Sequence, residues 1–418
     1  MRLTVLLILT ILFSCDTARN TPDPSNHFFV RYYGDDGDQE GVDMVANTDG
    51  TFMLLSTSRL NNNSNVYLVK VSSNGDVIWE TSFVAAENEE AKDIEATSDG
   101  NYIILSNATS ILTGSDVHIR KIDDNGNVLS EGTYTQPGSS NEIGESVTEV
   151  IDDINPGFIV AGNSNYDNGQ ADYKGVTALF IRFNADCSNY TGTWSNHAGA
   201  ERNDYCVKVF QRGSLVENEP FLLFGYSNSS ELTATESYNF WTSKMNSIGV
   251  GVNFEPGIID NSSDEYLRSV VPNSPSPATS KNYFLAGIEK KSNGSENVFI
   301  HQLTDNPKSI DNIDLGNITS QPATANKVSA HLTKRGHYLI LATKFVTNSD
   351  LVLFKVNSNG TLLWKSPQFF GGSGNDFGSA VYELPDERIL VMGTMQIGDE
   401  KQSKIVLMKT NKDGLFKN

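Results

Sequence analysis

Cysteine is nearly absent. The 418 residues hold three, Cys15, Cys187 and Cys206, which excludes a multiply bridged disulfide scaffold and leaves no CxxC pair for a metal or redox centre. After the first fourteen residues no apolar run is long enough to cross a membrane as a helix. No stretch carries a helical hydrophobic period either, so an α-helical fold is excluded. Positive charge is scarce: 31 basic residues face 51 acidic ones, for a formal charge of −20. That field repels nucleic acid and anionic headgroups. The acidic residues are scattered through loops rather than gathered in a run, the pattern of a solvated surface. Familiar signatures of chemistry are missing as well. His27, His118, His197, His301, His331 and His337 fall in no HExxH or other ligand spacing, and no phosphate-binding loop occurs. GGSG near Ser373 is no nucleophile elbow, because Asn375 stands where a glycine is required. The expectation is no catalytic motif, no metal and no cofactor.

The first fourteen residues, MRLTVLLILTILFS, carry one charge at Arg2 and then an apolar run, the layout of a secretory signal. Leu12-Phe13-Ser14-Cys15 resembles a bacterial lipobox, and the resemblance implies cleavage before Cys15 and lipidation of that residue. Acyl chains anchor firmly, at about 0.8 kcal/mol per buried methylene, so the expected location is the cell envelope, lipid-anchored at the outer membrane. Residues 15–27 are polar and proline-containing, which suits a flexible tether. Asp16-Thr17-Ala18 resembles the O-glycan acceptor pattern of Bacteroidetes.

What the chain has in abundance is repetition. A strand-like run ending in a small residue recurs seven times, at Ser56, Ser106, Gly162, Gly225, Gly287, Ala342 and Gly393, spaced by 50, 56, 63, 62, 55 and 51 residues. Such a period calls for a propeller, and a small side chain within a strand suggests close approach of a neighbouring backbone. Lys70, Lys121, Lys244, Lys355 and Lys409 each precede a turn glycine by five residues, with Arg182 and Gln302 in the third and fifth units. Repetition marks these as structural partners for carbonyls or carboxylates around hairpin turns such as SNG and KDG. An acidic or polar loop opens each unit, as in GDQEG, NEEAK, NEIGE, RNDYC, SDEYL and GNDFG. Each unit reads as four strands, A to D.

The stretch FFVRYYGDDGDQEG at 28–41 overlays KSPQFFGGSGNDFG at 365–378, so residues 28–34 read as a D strand preceding any A strand. The last unit ends after its C strand and lacks a D strand of its own. Phe28 to Gly34 is therefore expected to complete it beside Ile405 to Thr410, covering an edge otherwise open to aggregation and closing the ring. The prediction is an all-β, seven-bladed propeller of four-stranded antiparallel blades over residues 28–418, about 56 residues per blade.

That architecture assigns the remaining features. Asp35, Asp36 and Asp38 lack EF-hand spacing, and the last blade serves the same loop with fewer charges, so no calcium site is expected. Cys187 falls in a C-to-D turn and Cys206 near the start of an A strand, on opposite faces, so they are expected not to bond. The longest insertions fall in the B-to-C loops of blades three and four. There Tyr166, Tyr173, Tyr226 and Tyr238, amid Asn and Ser, form a candidate ligand surface. Gly75-to-Trp79 and Gly360-to-Trp364 resemble the tail of the tryptophan-docking motif of quinoprotein-type propellers. The whole unit resembles the repeat propellers of secreted proteins and lipoproteins of Bacteroidetes, which implies architecture and not activity. The leading functional expectation is a non-enzymatic envelope module that binds a protein or glycan. Alternatives are a polysaccharide lyase or hydrolase with its site in the central channel, and an outer-membrane assembly factor. An enzyme should gather titratable groups with displaced pKa values in the channel.

Overall fold

A computed structural model describes residues 28–85, 87–110, 112–136, 140–152, 154–165, 175–194, 197–198, 203–228, 237–250, 255–256, 263–274, 282–304, 317–319, 327–345, 348–398 and 401–417. The strands form seven four-stranded antiparallel sheets. In blade one, strands A to D are Asp38–Ala46, Phe52–Leu60, Asn63–Val71 and Val77–Phe83, and blade two repeats them as Asn88–Ala96, Tyr102–Ser110, Gly114–Ile122 and Val128–Tyr134. The A strands of the later blades are Glu142–Val150, Asp204–Gln211, Ser263–Pro272, Ser329–Leu332 and Phe377–Glu383. Residues on adjacent sheets interleave in successive apolar clusters, so the core is a ring of inter-blade layers rather than one centre.

Phe29–Tyr33 is the outer strand of the seventh sheet, antiparallel to Gln402–Thr410, with Phe29 opposite Lys409 and Tyr33 opposite Ile405. Phe29 and Tyr33 are 8% and 6% exposed in the cluster that joins blade seven to blade one. The acidic loop that follows serves the same closure. The Ser403 amide donates to Asp38 Oδ1 at 3.0 Å, Gln402 Nε2 to the Asp36 carbonyl at 2.7 Å, and Lys404 Nζ to the Asp35 carbonyl.

Each repeated landmark has a packing cause. Strand A carries a β-bulge at Gly41/Asp43, Ala91/Asp93, Gly144/Ser146, Cys206/Lys208, Leu267/Ser269 and Gly378/Ala380. Beside the bulge an A-strand carbonyl crowds the facing B strand. A Cβ at Gly162, Gly225, Gly287 or Gly393 would lie 2.0, 2.0, 2.3 or 2.3 Å from the carbonyls of Ile143, Tyr205, Tyr266 and Phe377. Gly225→Val is accordingly expected to destabilise the protein by about 1–3 kcal/mol through overpacking, read from the urea midpoint.

The polar residue opening six of the units is buried, an acid in five of them. Glu89, Glu142, Asp204, Glu265 and Asp376, with Gln39 in blade one, are all but inaccessible. Ser106 Oγ donates to Glu89 at 2.5 Å and Ser164 Oγ to Glu142 at 3.1 Å, while Asp376 accepts the amides of Gly372 and Gln396. These carboxylates replace water for groups between strands, and their recurrence is structural.

The repeated cations pin turns, as their spacing predicts. Lys121 Nζ lies 2.7 Å from Asp99, Lys409 Nζ 2.9 Å from the Ser73 carbonyl, and Arg182 bonds the carbonyls of Asn155, Phe158 and Phe183. Gly75, Gly126, Gly249, Gly360 and Gly414 take φ between +73° and +80°. In blade three Cys187 occupies that turn position with φ +63°. It is a free thiol, as is Cys206. Trp79 docks on the next blade's turn, its indole donating to the Asp124 carbonyl at 3.1 Å and its ring lying against Gly126.

Candidate active site

The A strands surround an axial cavity of ≈ 330 Å³ whose lining draws on all seven blades. The bulges explain what reaches it. One extra residue per strand turns Val42, Lys92, Glu145, Val207, Arg268 and Ser379 toward the axis, and the next residue, Asp43, Asp93, Ser146, Lys208 or Ser269, follows. Five carboxylates and five cations therefore line this cavity.

Asp43 of blade one and Asp93 of blade two share a hydrogen bond. Burial, followed by the charge of Asp93, pushes the Asp43 carboxyl well above the usual aspartate range. Asp43 Oδ2 accepts the Ile94 amide at 3.5 Å, and Asp93 Oδ2 accepts the Val147 amide at 2.8 Å. Lys208 reaches across from blade four, its Nζ 3.7 Å from Asp93 Oδ2, 2.5 Å from Glu95 Oε1 and 3.4 Å from the Val147 carbonyl. Burial alone would lower the Lys208 pKa, but Glu95 and Asp93 outweigh it and keep the ammonium charged. Glu95 is pushed upward by burial, which its pairing with Lys208 offsets only in part.

The mouth carries a second charged ladder. Arg59 bonds Glu40 at 2.7 Å and Glu90 at 3.0 Å, and Lys327 lies 3.3 Å from Glu40. Burial would raise the Glu40 carboxyl, yet Lys327 and Arg59 hold it below its ordinary value. Among the described residues Glu145 makes no ion pair, which leaves it the cavity carboxylate outside both ladders.

The sequence-predicted tyrosines divide. Tyr166 and Tyr173 lie outside the described residues. Tyr226 and Tyr238 do come together, with ring centroids 5.8 Å apart. Tyr226 is the penultimate residue of a B strand, 8% exposed, stacked on Tyr205 at 4.7 Å. Tyr238 packs on Tyr266 at 5.1 Å and its hydroxyl accepts from Asn203 Nδ2 at 3.3 Å. The Arg268 guanidinium covers Tyr226 and Tyr266 at 5.4 and 5.6 Å, joining this cluster to the channel.

No motif marked the channel set, and the sequence-based expectation named no catalytic residue. Counting four residues on from the buried opening acid would have found it. That step gives Asp43, Asp93 and Lys208 in three blades, where the others have Ser146, Ser269 and Ala380. Asp35, by contrast, spends its carboxylate on the Gly37 amide, Gln39 and Ser58. No group of three or more His, Cys, Asp or Glu arranged to hold a metal occurs among the described residues.

Fold and channel define the class: a seven-bladed β-propeller with a polar axial cavity. No family model matches the chain, and no curated protein matches it either. Among solved structures it is similar to an α-L-arabinofuranosidase from Fusarium graminearum at 9% identity and TM-score 0.45, covering 94% of this chain and 100% of that one. An α-L-arabinanase from Penicillium chrysogenum aligns at 8% identity and TM-score 0.44, covering 92% and 98%. A protein of unknown function from Bacteroides caccae aligns at 11% and 0.38, covering 87% and 90%. At these values the likeness is one of fold alone.

Proposed function

We propose that the protein is a polysaccharide-cleaving enzyme whose acid–base site is the central channel. The observation that carries this reading is the hydrogen-bonded Asp43–Asp93 pair on the wall of a cavity that opens between charged rims, where burial and the charge of Asp93 raise the Asp43 carboxyl above its ordinary range. A structural ion network has no need of an acid held protonated, whereas cleavage of a glycosidic bond needs a proton for the departing oxygen. Asp43 is that donor. Asp93 and Lys208 are positioning residues that hold the proton and fix its carboxyl. Two carboxyls in hydrogen-bond contact are too close to straddle a glycosidic bond as acid and base, which stand about 5–9.5 Å apart. Water is therefore activated by another carboxylate of the same lining, and Glu145 is the one not tied to a cation.

The test is release of reducing ends from a panel of cell-wall and storage polysaccharides by the full chain. Release by wild type, lost in Asp43→Asn and Glu145→Gln, supports the reading; equal release by all three overturns it.

The pair also predicts a stability signature. The folded-state pKa of Asp43 lies above its ordinary value of 3.8. Its protonated form favours the folded state, and that contribution is full at low pH and fades as pH rises through the folded pKa. Asp43→Asn, which stays neutral, is expected to lose less stability than wild type between acid and neutral pH in urea melts. A carboxyl held below its ordinary value in the folded state would give the opposite trend, with wild type gaining stability as pH rises.

A binding module is the second reading, favoured by the Tyr205–Tyr226 stack beside Arg268. Under it, glycan or protein binding survives Asp43→Asn and falls in Tyr238→Ala. Under either, Cys15 carries the proposed lipid anchor, and Cys15→Ser is expected to move the protein from the membrane to the soluble fraction.

A further inference from the structure

A second cavity, also ≈ 330 Å³, opens beside the channel at the seam of blades six, seven and one. It shares Glu40, Arg59, Lys327 and Ser379 with the axial cavity, so the two are continuous. On its wall stands Phe377, 39% exposed although it lies in an A strand between the buried Asp376 and Gly378. By strand register Phe377 is equivalent to Glu40, Glu90, Ile143, Tyr205 and Tyr266. The two tyrosines are covered by neighbouring rings, while Phe377 is left open in a concavity. An exposed aromatic in a concave pocket marks a ligand face.

The rest of the wall is polar and directional. Thr343 Oγ1 accepts the Gly378 amide at 3.1 Å and Thr394 Oγ1 accepts the Gly41 amide at 2.8 Å, which leaves each hydroxyl hydrogen to donate. Asp38 and Ser403 sit at one edge, and the Glu40–Arg59 pair at the other. One flat apolar face, ringed by hydroxyl donors and charged acceptors, is the complement of a sugar ring, which presents C–H bonds on its face and hydroxyls around its edge.

We propose that the Phe377 pocket is a sugar subsite, seating the ring next to the bond presented to Asp43. The assignment rests on the glycan-cleaving reading for its role, and on the pocket alone for its ligand class. Saturation-transfer NMR on the full chain, with methyl glucoside, methyl galactoside, methyl mannoside and galacturonate as probes, tests it. Transfer to the ring-face protons of at least one probe is expected, lost in Phe377→Ala and Phe377→Leu and retained in Phe377→Tyr and Asp43→Asn. The leucine variant keeps bulk in the pocket and controls for folding. Transfer unchanged in Phe377→Leu, or absent for all four probes, overturns the subsite. The two claims separate cleanly: Phe377-dependent transfer without cleavage of any polysaccharide removes the enzyme reading and leaves the subsite. Cleavage that needs Asp43 but has a KM unmoved by Phe377→Leu does the reverse.

Discussion

Asp43→Asn is expected to lower glycan turnover by about 10²- to 10⁴-fold, the usual contribution of a positioned general acid, with little change in KM. An amide is nearly isosteric with the acid and can still bond Asp93, so the fold and the cavity survive while the transferable proton is gone. Glu145→Gln should give a loss of similar size from the opposite requirement, an ionised base. The two differ in pH dependence. The high-pH limb of the profile belongs to Asp43, whose carboxyl is raised by burial and by the charge of Asp93. Lys208→Met, which keeps an unbranched chain one atom shorter and removes the ammonium, is expected to shift that limb and not merely scale the rate. A structural role alone would change stability without moving the profile.

The second large effect concerns closure. A chain that begins at Gly34 is expected to lose cooperative unfolding and to aggregate. Removing Phe29–Tyr33 exposes the backbone edge of Ile405 to Lys409. It also strips two buried aromatic rings from the layer between blades seven and one, along with the Tyr33 hydroxyl bond to the Gly75 carbonyl at 2.8 Å. Truncating a buried Phe typically costs about 3–5 kcal/mol. The whole strand therefore rivals the roughly 5–15 kcal/mol that a folded protein has to lose. Size-exclusion chromatography and thermal melts would show the loss; a monomeric, cooperatively melting truncated chain would mean the ring does not depend on its borrowed strand. A synthetic peptide of residues 28–34 should restore part of the melting transition.

Much of the architecture was legible because each signal recurs. One small residue in a strand says little, but seven at near-constant spacing mark the B strands, and at Gly162, Gly225, Gly287 and Gly393 the cause is an A-strand carbonyl that a Cβ would meet. The recurring lysines and the turn glycines were readable for the same reason, and the overlay of 28–41 on 365–378 disclosed the closure before any pairing was known. The candidate site was not legible, because it breaks the repeat. Asp43, Asp93 and Lys208 occupy a position that other blades fill with serine or alanine, and a search for shared features passes over its exceptions. The opening acids misled in the other direction: Glu89 and Glu142 look like solvated loop charges in the sequence and are buried beneath serines in the fold.

The sequence by itself determined the blade count, the four-strand unit and the identity of the closing strand, because local period, turn chemistry and strand alternation are written within each segment. Only the tertiary structure decided which side chains face the axis and which of them meet. Asp43 and Asp93 are fifty residues apart in the chain and Lys208 lies more than a hundred beyond, and only closure of the ring, with a bulge in each of the inner strands that carry them, brings the three within reach of one another.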